Sequence, residues 1–225
     1  APASAAARQT PSDNWLKGIK GTHRQLFDSP APAGGIQLVH ILNYYETLNK
    51  AYGVKDAQIN AVGTFYGTTT FYGLNDAMWA KYRIGEFLET NDPSTGKPAV
   101  ANPWRANPVV IGLTLPQASI ESLQKRGATF ILCNNALTIF SGFLAKARGL
   151  DADSVYNDLA SNILPGVNLI PLDRNRGATA AAGPFPGSPA GRAGADGDGR
   201  APTRTSAVRP STPPVATRSC TSSMR

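Results

Sequence analysis

The stretch RGATFILCNNAL, residues 126–137, carries the strongest structural signal in the chain. Its apolar run from Ala128 to Cys133 has the pattern of a buried strand, and the residues after it begin a helical pattern. Cys133 is therefore predicted at the carboxyl end of a strand and the amino end of a helix. Ligands bind at this edge of open α/β sheets. The free N–H groups and partial positive charge of a helix start also favour a thiolate.

Cys133 has two interpretations from its position alone. The only other cysteine, Cys220, lies in a low-complexity tail and is no obvious partner for a structural disulfide. A reactive thiol is one interpretation, because the predicted position is one where ligands bind. Inert packing is the other, because free cysteines are among the most buried residue types.

The composition divides the chain into three parts. Residues 1–13 read as a flexible arm, and residues 14–171 mix aliphatic, aromatic and polar residues as one ordinary domain does. Residues 172–225 consist mainly of Ala, Gly, Pro, Arg, Ser and Thr. Such a composition cannot bury enough apolar surface to offset chain entropy, so we expect this tail to be disordered.

The basic charge belongs mostly to the tail. Its eight arginines and three aspartates give +5, whereas the formal charge of the whole chain is +7, which leaves +2 for residues 1–171. These arginines are scattered among Pro and Gly, with Phe185 as a single aromatic residue. Nucleic-acid binding needs basic residues clustered on a folded face, so the sequence predicts no nucleic-acid partner.

Strand and helix patterns alternate between residues 14 and 171. Strands are predicted at 21–28, 58–65, 128–133 and 165–171, and helical patterns at 38–52, 74–88, 119–126, 137–147 and 155–159. Residues 91–108 are turn-rich and read as an inserted loop. The alternation predicts an α/β domain with a mainly parallel sheet. Right-handed crossovers then place the ends of the first, second and Cys133 strands along one edge.

Further candidate site residues lie on the loop after the second strand and on the first strand. Tyr66, Thr68 and Thr69 are expected either to form a pocket wall facing Cys133 or to pack in the core and at subunit contacts. His23 would lower the pKa of Cys133 if it projected at the end of the first strand. No metal-ligand spacing or cofactor loop is present, so the sequence predicts neither a metal nor a cofactor.

Two segments resemble the DsrE/DsrF-like family of sulfur-metabolism proteins. They are RGATFILCNNAL at 126–137 and NILPGVNLIP at 162–171. The resemblance extends over about residues 20–171, and residues 91–108 look inserted relative to a minimal family member. It implies a three-layer, flavodoxin-like α/β fold that assembles as a trimer or hexamer.

The same resemblance implies a function. Family members carry sulfur as a persulfide on a cysteine after this strand, which corresponds to Cys133, with Asn134 and Asn135 as N–H donors and a sulfur-donor or acceptor protein as partner. Family membership alone does not establish transfer. The other hypothesis is a non-catalytic oligomeric module that binds a small ligand or a partner at the same edge, with Cys133 as a packing residue.

The resemblance stops at Pro171. Family members continue there into an apolar run, a final helix and a strand, whereas this chain changes to Ala, Gly, Pro and Arg. The change indicates either a genuine disordered extension or a shift of reading frame in the gene sequence. Sequencing the codons for residues 168–176 separates the two, because an unshifted frame would remove the second explanation.

The start of the chain, APASAAA, resembles what remains after an export signal is cleaved. Some proteins with the DsrE/DsrF-like pattern carry twin-arginine export signals. We therefore expect an exported, periplasmic protein, with the cytoplasm as the alternative. The sequence holds no apolar stretch of about 18 residues, so no transmembrane segment is expected.

Overall fold

A computed structural model describes residues 11–171, and its centre is a four-stranded parallel sheet. In chain order the strands are β1 (His23–Phe27), β2 (Ile59–Phe65), β3 (Val109–Val110), β4 (Leu113–Thr114), β5 (Thr129–Cys133) and β6 (Val167–Ile170). The sheet has the order β1-β2-β5-β6, and β3 and β4 form a separate antiparallel pair. The predicted α/β domain with a parallel sheet is confirmed.

The strand order is sequential, with β1 at one edge of the sheet and β6 at the other. A flavodoxin-like sheet has its first strand inside, between the second and the third. Here β2 lies inside, because it pairs with β1 on one side and with β5 on the other. The described sheet therefore differs from the flavodoxin-like order implied by the resemblance.

Six α-helices lie among the described residues: α1 (Ile36–Tyr52), α2 (Asp76–Lys81), α3 (Ile84–Phe87), α4 (Ile120–Lys125), α5 (Asn134–Arg148) and α6 (Ala152–Ser161). The single helix expected over 74–88 is two short helices. Arg83 between them has a left-handed φ of +51°, which ends the first helical run.

All six helices pack on one face of the sheet. The main apolar cluster contains residues of every helix together with the alternate strand residues Ala61, Phe65, Phe130 and Leu132. Along the chain, each new strand of the sheet is added on the same side of the strand before it. Right-handed connections between such strands place all the connecting helices on one face of the sheet. Residues 11–171 therefore form one helical layer on the sheet, not the two that a three-layer fold requires.

The N-terminal segment covers the opposite face. Its 3₁₀ turn, Asn14–Gly18, follows Ser12, whose N–H donates to the carbonyl oxygen of Leu169 in β6 at 3.0 Å. A smaller apolar cluster forms on this face from Trp15, Ile19, Val62, Ile131 and Ile170. The last residues of the predicted arm are thus bonded to the sheet edge, and the segment then crosses the sheet to β1.

The segment expected as an inserted loop, residues 91–108, packs against the domain. Asn102 is buried, and its Nδ2 donates to the carbonyl oxygens of Tyr72 and Leu74 at 2.7 and 2.8 Å. Trp104 is buried beside Tyr72, with the ring centroids 3.9 Å apart. These contacts anchor the segment to the core through its few buried residues, while residues 93–98 are exposed.

The predicted tail, residues 172–225, and residues 1–10 of the predicted arm lie outside the described residues. Disorder of the tail and a shifted reading frame therefore stay predictions. Within residues 11–171, every helix is too short or too polar to span a bilayer.

Gly63, in the middle of β2, has no room for a side chain. A Cβ there would lie 2.6 Å from the ring of Phe130 and 3.2 Å from Cδ1 of Ile41. The Phe130 ring is itself stacked on Phe65, with centroids 5.4 Å apart and planes at 5°. The absence of a side chain at Gly63 therefore allows β2, β5 and α1 to pack in direct contact.

We expect Gly63→Ala to lower the free energy of unfolding by about 1–3 kcal/mol, because the added methyl group overpacks a filled core. Gly142→Ala in α5 is the matched control, since a Cβ there meets nothing within 4 Å. This control should be neutral or stabilising by up to about 1 kcal/mol through helix propensity. Urea denaturation followed by circular dichroism measures both. A Gly63→Ala protein as stable as the wild type would contradict the packing.

Candidate functional site

Cys133 lies where the sequence predicts it, at the last position of β5 and directly before α5. It is paired with Ile170 of β6, and the register of β2 with β5 places Tyr66 at the same level on the other side. Alternation along β5 puts its side chain on the face of Ile131, opposite the helices. The residue is only 4% exposed.

This burial limits what Cys133 can do. It is a free thiol without a disulfide partner. A thiolate reacts only where a reagent reaches it, and buried cysteines are typically inert. The position at the sheet edge matches the expectation for a sulfur carrier, whereas the accessibility that a carrier needs is not found in the described chain.

Asn134 and Asn135 form the first turn of α5. The Oδ1 atom of Asn134 accepts a hydrogen bond from Tyr156 Oη at 2.6 Å, which joins α5 to α6. The backbone N–H groups of both asparagines belong to the first turn, where N–H groups have no acceptor within the helix. The expected donors therefore lie next to Cys133 in the chain, while the Asn134 side chain holds two helices together.

The loop after β2 is bonded to the loop after β1 by two of the predicted pocket residues. Tyr66 Oη donates to Asp28 Oδ2 at 2.6 Å. The N–H of Thr68 donates to the carbonyl oxygen of Pro30 at 3.1 Å, and a Cβ on Gly67 would lie 2.5 Å from the same oxygen. The two loops are in direct contact, and Gly67 allows this close approach.

Thr64 and Thr69 complete the connection between these loops. Thr64 Oγ1 accepts a hydrogen bond from the Ser29 N–H at 3.0 Å and donates to Asp28 Oδ1 at 3.1 Å. Thr69 Oγ1 donates to the carbonyl oxygen of Ser29. Ser29 and both threonines are buried, so their polar groups depend on each other for partners. The hydroxyl-rich loop is a connection between two strand ends, a role that its composition did not indicate.

The structure does not bring His23 to Cys133. His23 begins β1 opposite Ile59, at the amino end of the parallel sheet. Cys133 lies at the carboxyl end, about 23 Å farther along the strand direction at about 3.3 Å per residue. His23 and Cys133 therefore lie at opposite ends of the sheet and do not form one site.

A cleft of about 570 Å³ opens at the carboxyl end of the sheet, beside the loops after β1 and β2. None of the site residues predicted from the sequence lines this cleft. Its wall comes from Pro32 and Gly34, from Tyr72 and Asp76, and mostly from the stretch between residues 90 and 114, in which residues 90–94 and 99–107 line it. Sequence reasoning missed it because most of the wall is the segment that read as an insertion. The one available signal was Trp104, a large aromatic residue in a turn-rich stretch.

The charged groups of the cleft are largely bonded within the protein. Arg105 Nη1 lies 2.6 Å from Glu121 Oε1, and its Nη2 lies 2.9 Å from Asp76 Oδ2. The hydrogen bonds from these carboxylates, Glu121 first, raise the pKa of Arg105. Asp92 accepts hydrogen bonds from the hydroxyl and the N–H of Ser94, which hold the pKa of Asp92 below its usual range. The charged side chains of the lining are one guanidinium, Arg105, and the two carboxyl groups of Asp76 and Asp92.

Within residues 11–171, no group of three His, Cys, Asp or Glu side chains is arranged to hold a metal ion. No family model, curated protein or solved structure matches the chain. Function is therefore inferred from the geometry of this sheet edge and from the resemblance carried by residues 126–137 and 162–171.

We expect Thr64→Val to lower the free energy of unfolding by about 1–3 kcal/mol, because valine keeps the shape but leaves the Ser29 N–H without its acceptor. Thr129→Val is the matched control on β5, where the change should stay within about 0.5 kcal/mol. Chemical denaturation measures the stabilities, and hydrogen exchange of the Ser29 amide should be faster only in Thr64→Val. Equal exchange in the two variants would show that Thr64 does not hold the loop.

Proposed function

We propose that this protein is a non-catalytic module that binds a small ligand in the cleft at the carboxyl end of its sheet. The observation that carries the proposal is the cleft itself. Its volume of about 570 Å³ falls in the usual range of ligand sites, roughly 300–1,000 Å³. Its place beside the loops after β1 and β2 is where α/β sheets bind ligands.

The lining and the burial of Cys133 agree with this function. The aromatic pair of Tyr72 and Trp104 lies in the wall with polar groups of Asp76 and Arg105, a mixture that is typical of ligand sites. Cys133 is 4% exposed and does not line the cleft, which suits a packing residue.

A substitution that fills the cleft tests the proposal. Ala101 is exposed and lines the cleft, so Ala101→Trp should block it without disturbing the core. Ala51→Trp is the matched control, because Ala51 is exposed near the far end of α1, about 22 Å from the helix start at about 1.5 Å per residue. Ligand-detected NMR identifies small molecules that bind the wild type. We expect these molecules to bind Ala51→Trp equally well and Ala101→Trp at least about tenfold more weakly.

Two results would contradict ligand binding in the cleft. One is the absence of any bound molecule in a broad set of small metabolites. The other is binding that survives in Ala101→Trp, which would locate the ligand elsewhere on the protein.

We propose sulfur carriage through Cys133 as the second candidate function. The observation that favours it is the position of Cys133 between the carboxyl end of β5 and the first turn of the 15-residue helix α5. In this reaction the Cys133 thiolate attacks the outer sulfur of a donor persulfide. A new S–S bond forms on Cys133, the donor S–S bond breaks, and the donor leaves as a thiolate.

Mass spectrometry tests the carrier function. Incubation with a persulfide donor should add multiples of about 32 Da to the wild type and none at this position in Cys133→Ala. Cys220→Ser provides the background in which only Cys133 can react. A Cys220→Ser protein that gains no sulfur would contradict the carrier function and leave the ligand-binding function standing.

We further propose membership of the DsrE/DsrF-like family, export to the periplasm, and assembly as a trimer or hexamer. The two resembling segments support the first two, because some proteins with this pattern carry export signals. Ile139 and Phe143, one turn apart on α5, are 46% and 56% exposed, and an apolar surface of this kind supports assembly. Native mass spectrometry measures the oligomer, and a monomer at micromolar concentration would contradict it.

A further inference from the structure

One short segment lies on the face of the sheet opposite the helices. We call residues 12–21 the strap, because they run from β6 at one edge of the sheet towards β1 at the other. Two strap residues, Trp15 and Ile19, belong to one buried apolar cluster with Ile131 and Ile170 of the sheet. The strap therefore supplies the part of this cluster that comes from outside the sheet.

Cys133 has the same two sheet residues as its neighbours. Ile131 lies two positions before it in β5, and Ile170 is its partner in β6. Side chains with these relations point to one face of a parallel sheet, so the thiol faces the strap. It is 4% exposed and does not line the cleft. The strap thus accounts for the burial of the thiol.

The strap is attached to the sheet by hydrogen bonds at its two ends. The Ser12 N–H donates to the carbonyl oxygen of Leu169 at 3.0 Å, and the Gly21 N–H donates to Asn60 Oδ1. The hydrogen bonds described between these ends join strap residues to each other, as in the 3₁₀ turn. Between its ends, the strap is therefore held to the sheet mainly by apolar contact.

Trp15 weakens the closed position of the strap. Its side chain is 7% exposed, and its Nε1 is buried without a hydrogen-bond partner in the described part of the chain. A buried donor without an acceptor costs free energy, because it has lost its bond to water. Lifting the strap returns this N–H to water and removes the cost. The unpaired indole therefore offsets part of the stabilisation that burial of the ring provides.

The two faces of the sheet differ in how strongly they are covered. The main apolar cluster joins residues of all six helices to the sheet, whereas the cluster under the strap has five buried residues. Segments with few buried apolar contacts open locally at a lower free energy than the whole domain unfolds. The strap is therefore the part of the described domain that can open while the helical layer stays folded.

We propose that the strap is a lid over Cys133, and that Trp15 holds it closed. Its opening exposes the thiol from the face opposite the helices, while the cleft at the other side of the sheet edge is unchanged. The inference goes beyond both proposed functions, because it names the segment that controls access to the thiol and not what the thiol does.

Alkylation of Cys133 by iodoacetamide in the full chain, at urea concentrations below the unfolding transition, tests the proposal. We expect the logarithm of the rate to rise with urea at less than about half the slope that global unfolding gives, because opening the strap exposes little surface. Circular dichroism measures the slope for global unfolding. The Gly21 amide should show the same weak urea dependence in hydrogen exchange, since its bond to Asn60 is broken by the same opening.

Two variants separate the strap from the remaining domain. Trp15→Ala removes the largest strap side chain and should raise the rate of Cys133 alkylation without urea at least about tenfold. Leu48→Ala is the control, because Leu48 of α1 is partly buried against the main cluster on the other face. It should lower the stability of the whole domain and leave the alkylation rate within about twofold of the wild type.

The lid is overturned if Cys133 alkylation has the urea slope of global unfolding, because the thiol would then be uncovered only when the whole domain unfolds. It is also overturned if Trp15→Ala and Leu48→Ala raise the rate equally, or if the folded wild type reacts as fast as the unfolded chain. Sulfur loading is a separate measurement, so a failure of the carrier function is distinguishable from a failure of the lid.

Discussion

The close packing at Gly63 is the constraint on which the remaining structure depends. A ring of β5 fills the space that a side chain on β2 would take, and this contact sets β2 between β1 and β5 under α1. The carboxyl ends of these strands then meet at one edge of the sheet. There the loops after β1 and β2 come close enough to share hydrogen bonds through Thr64 and Ser29.

That edge holds two features with different properties. Cys133 ends β5 and is sealed by its surroundings, whereas the cleft beside the start of α1 is open. The cleft exists because the segment after α3 folds back on the domain and anchors itself through Asn102 to the carbonyl oxygens of Tyr72 and Leu74. A segment that the sequence predicts as an inserted loop therefore forms most of the wall of the proposed binding site.

Much of the fold was predictable because it depends on local patterns. The apolar run ending at Cys133 and the helix after it follow from periodicity, and the α/β alternation follows from several such runs. Burial of Cys133, the break at Arg83 and the order of the strands depend on packing between distant segments, which no local pattern reports. His23 lies near the amino end of the strand predicted at 21–28, and the parallel pairing of β1 with β2 and of β2 with β5 places that end opposite the Cys133 end of the sheet.

The sheet edge holds a buried thiol beside an open cleft, and the accessibility of Cys133 tests this difference most directly. The measurement is the rate at which iodoacetamide alkylates Cys133 in the folded protein and in urea, followed by mass spectrometry of the Cys133 peptide. We expect alkylation to be at least about 100-fold slower in the folded protein, because the thiol must first be uncovered by local opening. Equal rates in the two states would contradict it and favour sulfur carriage at this edge.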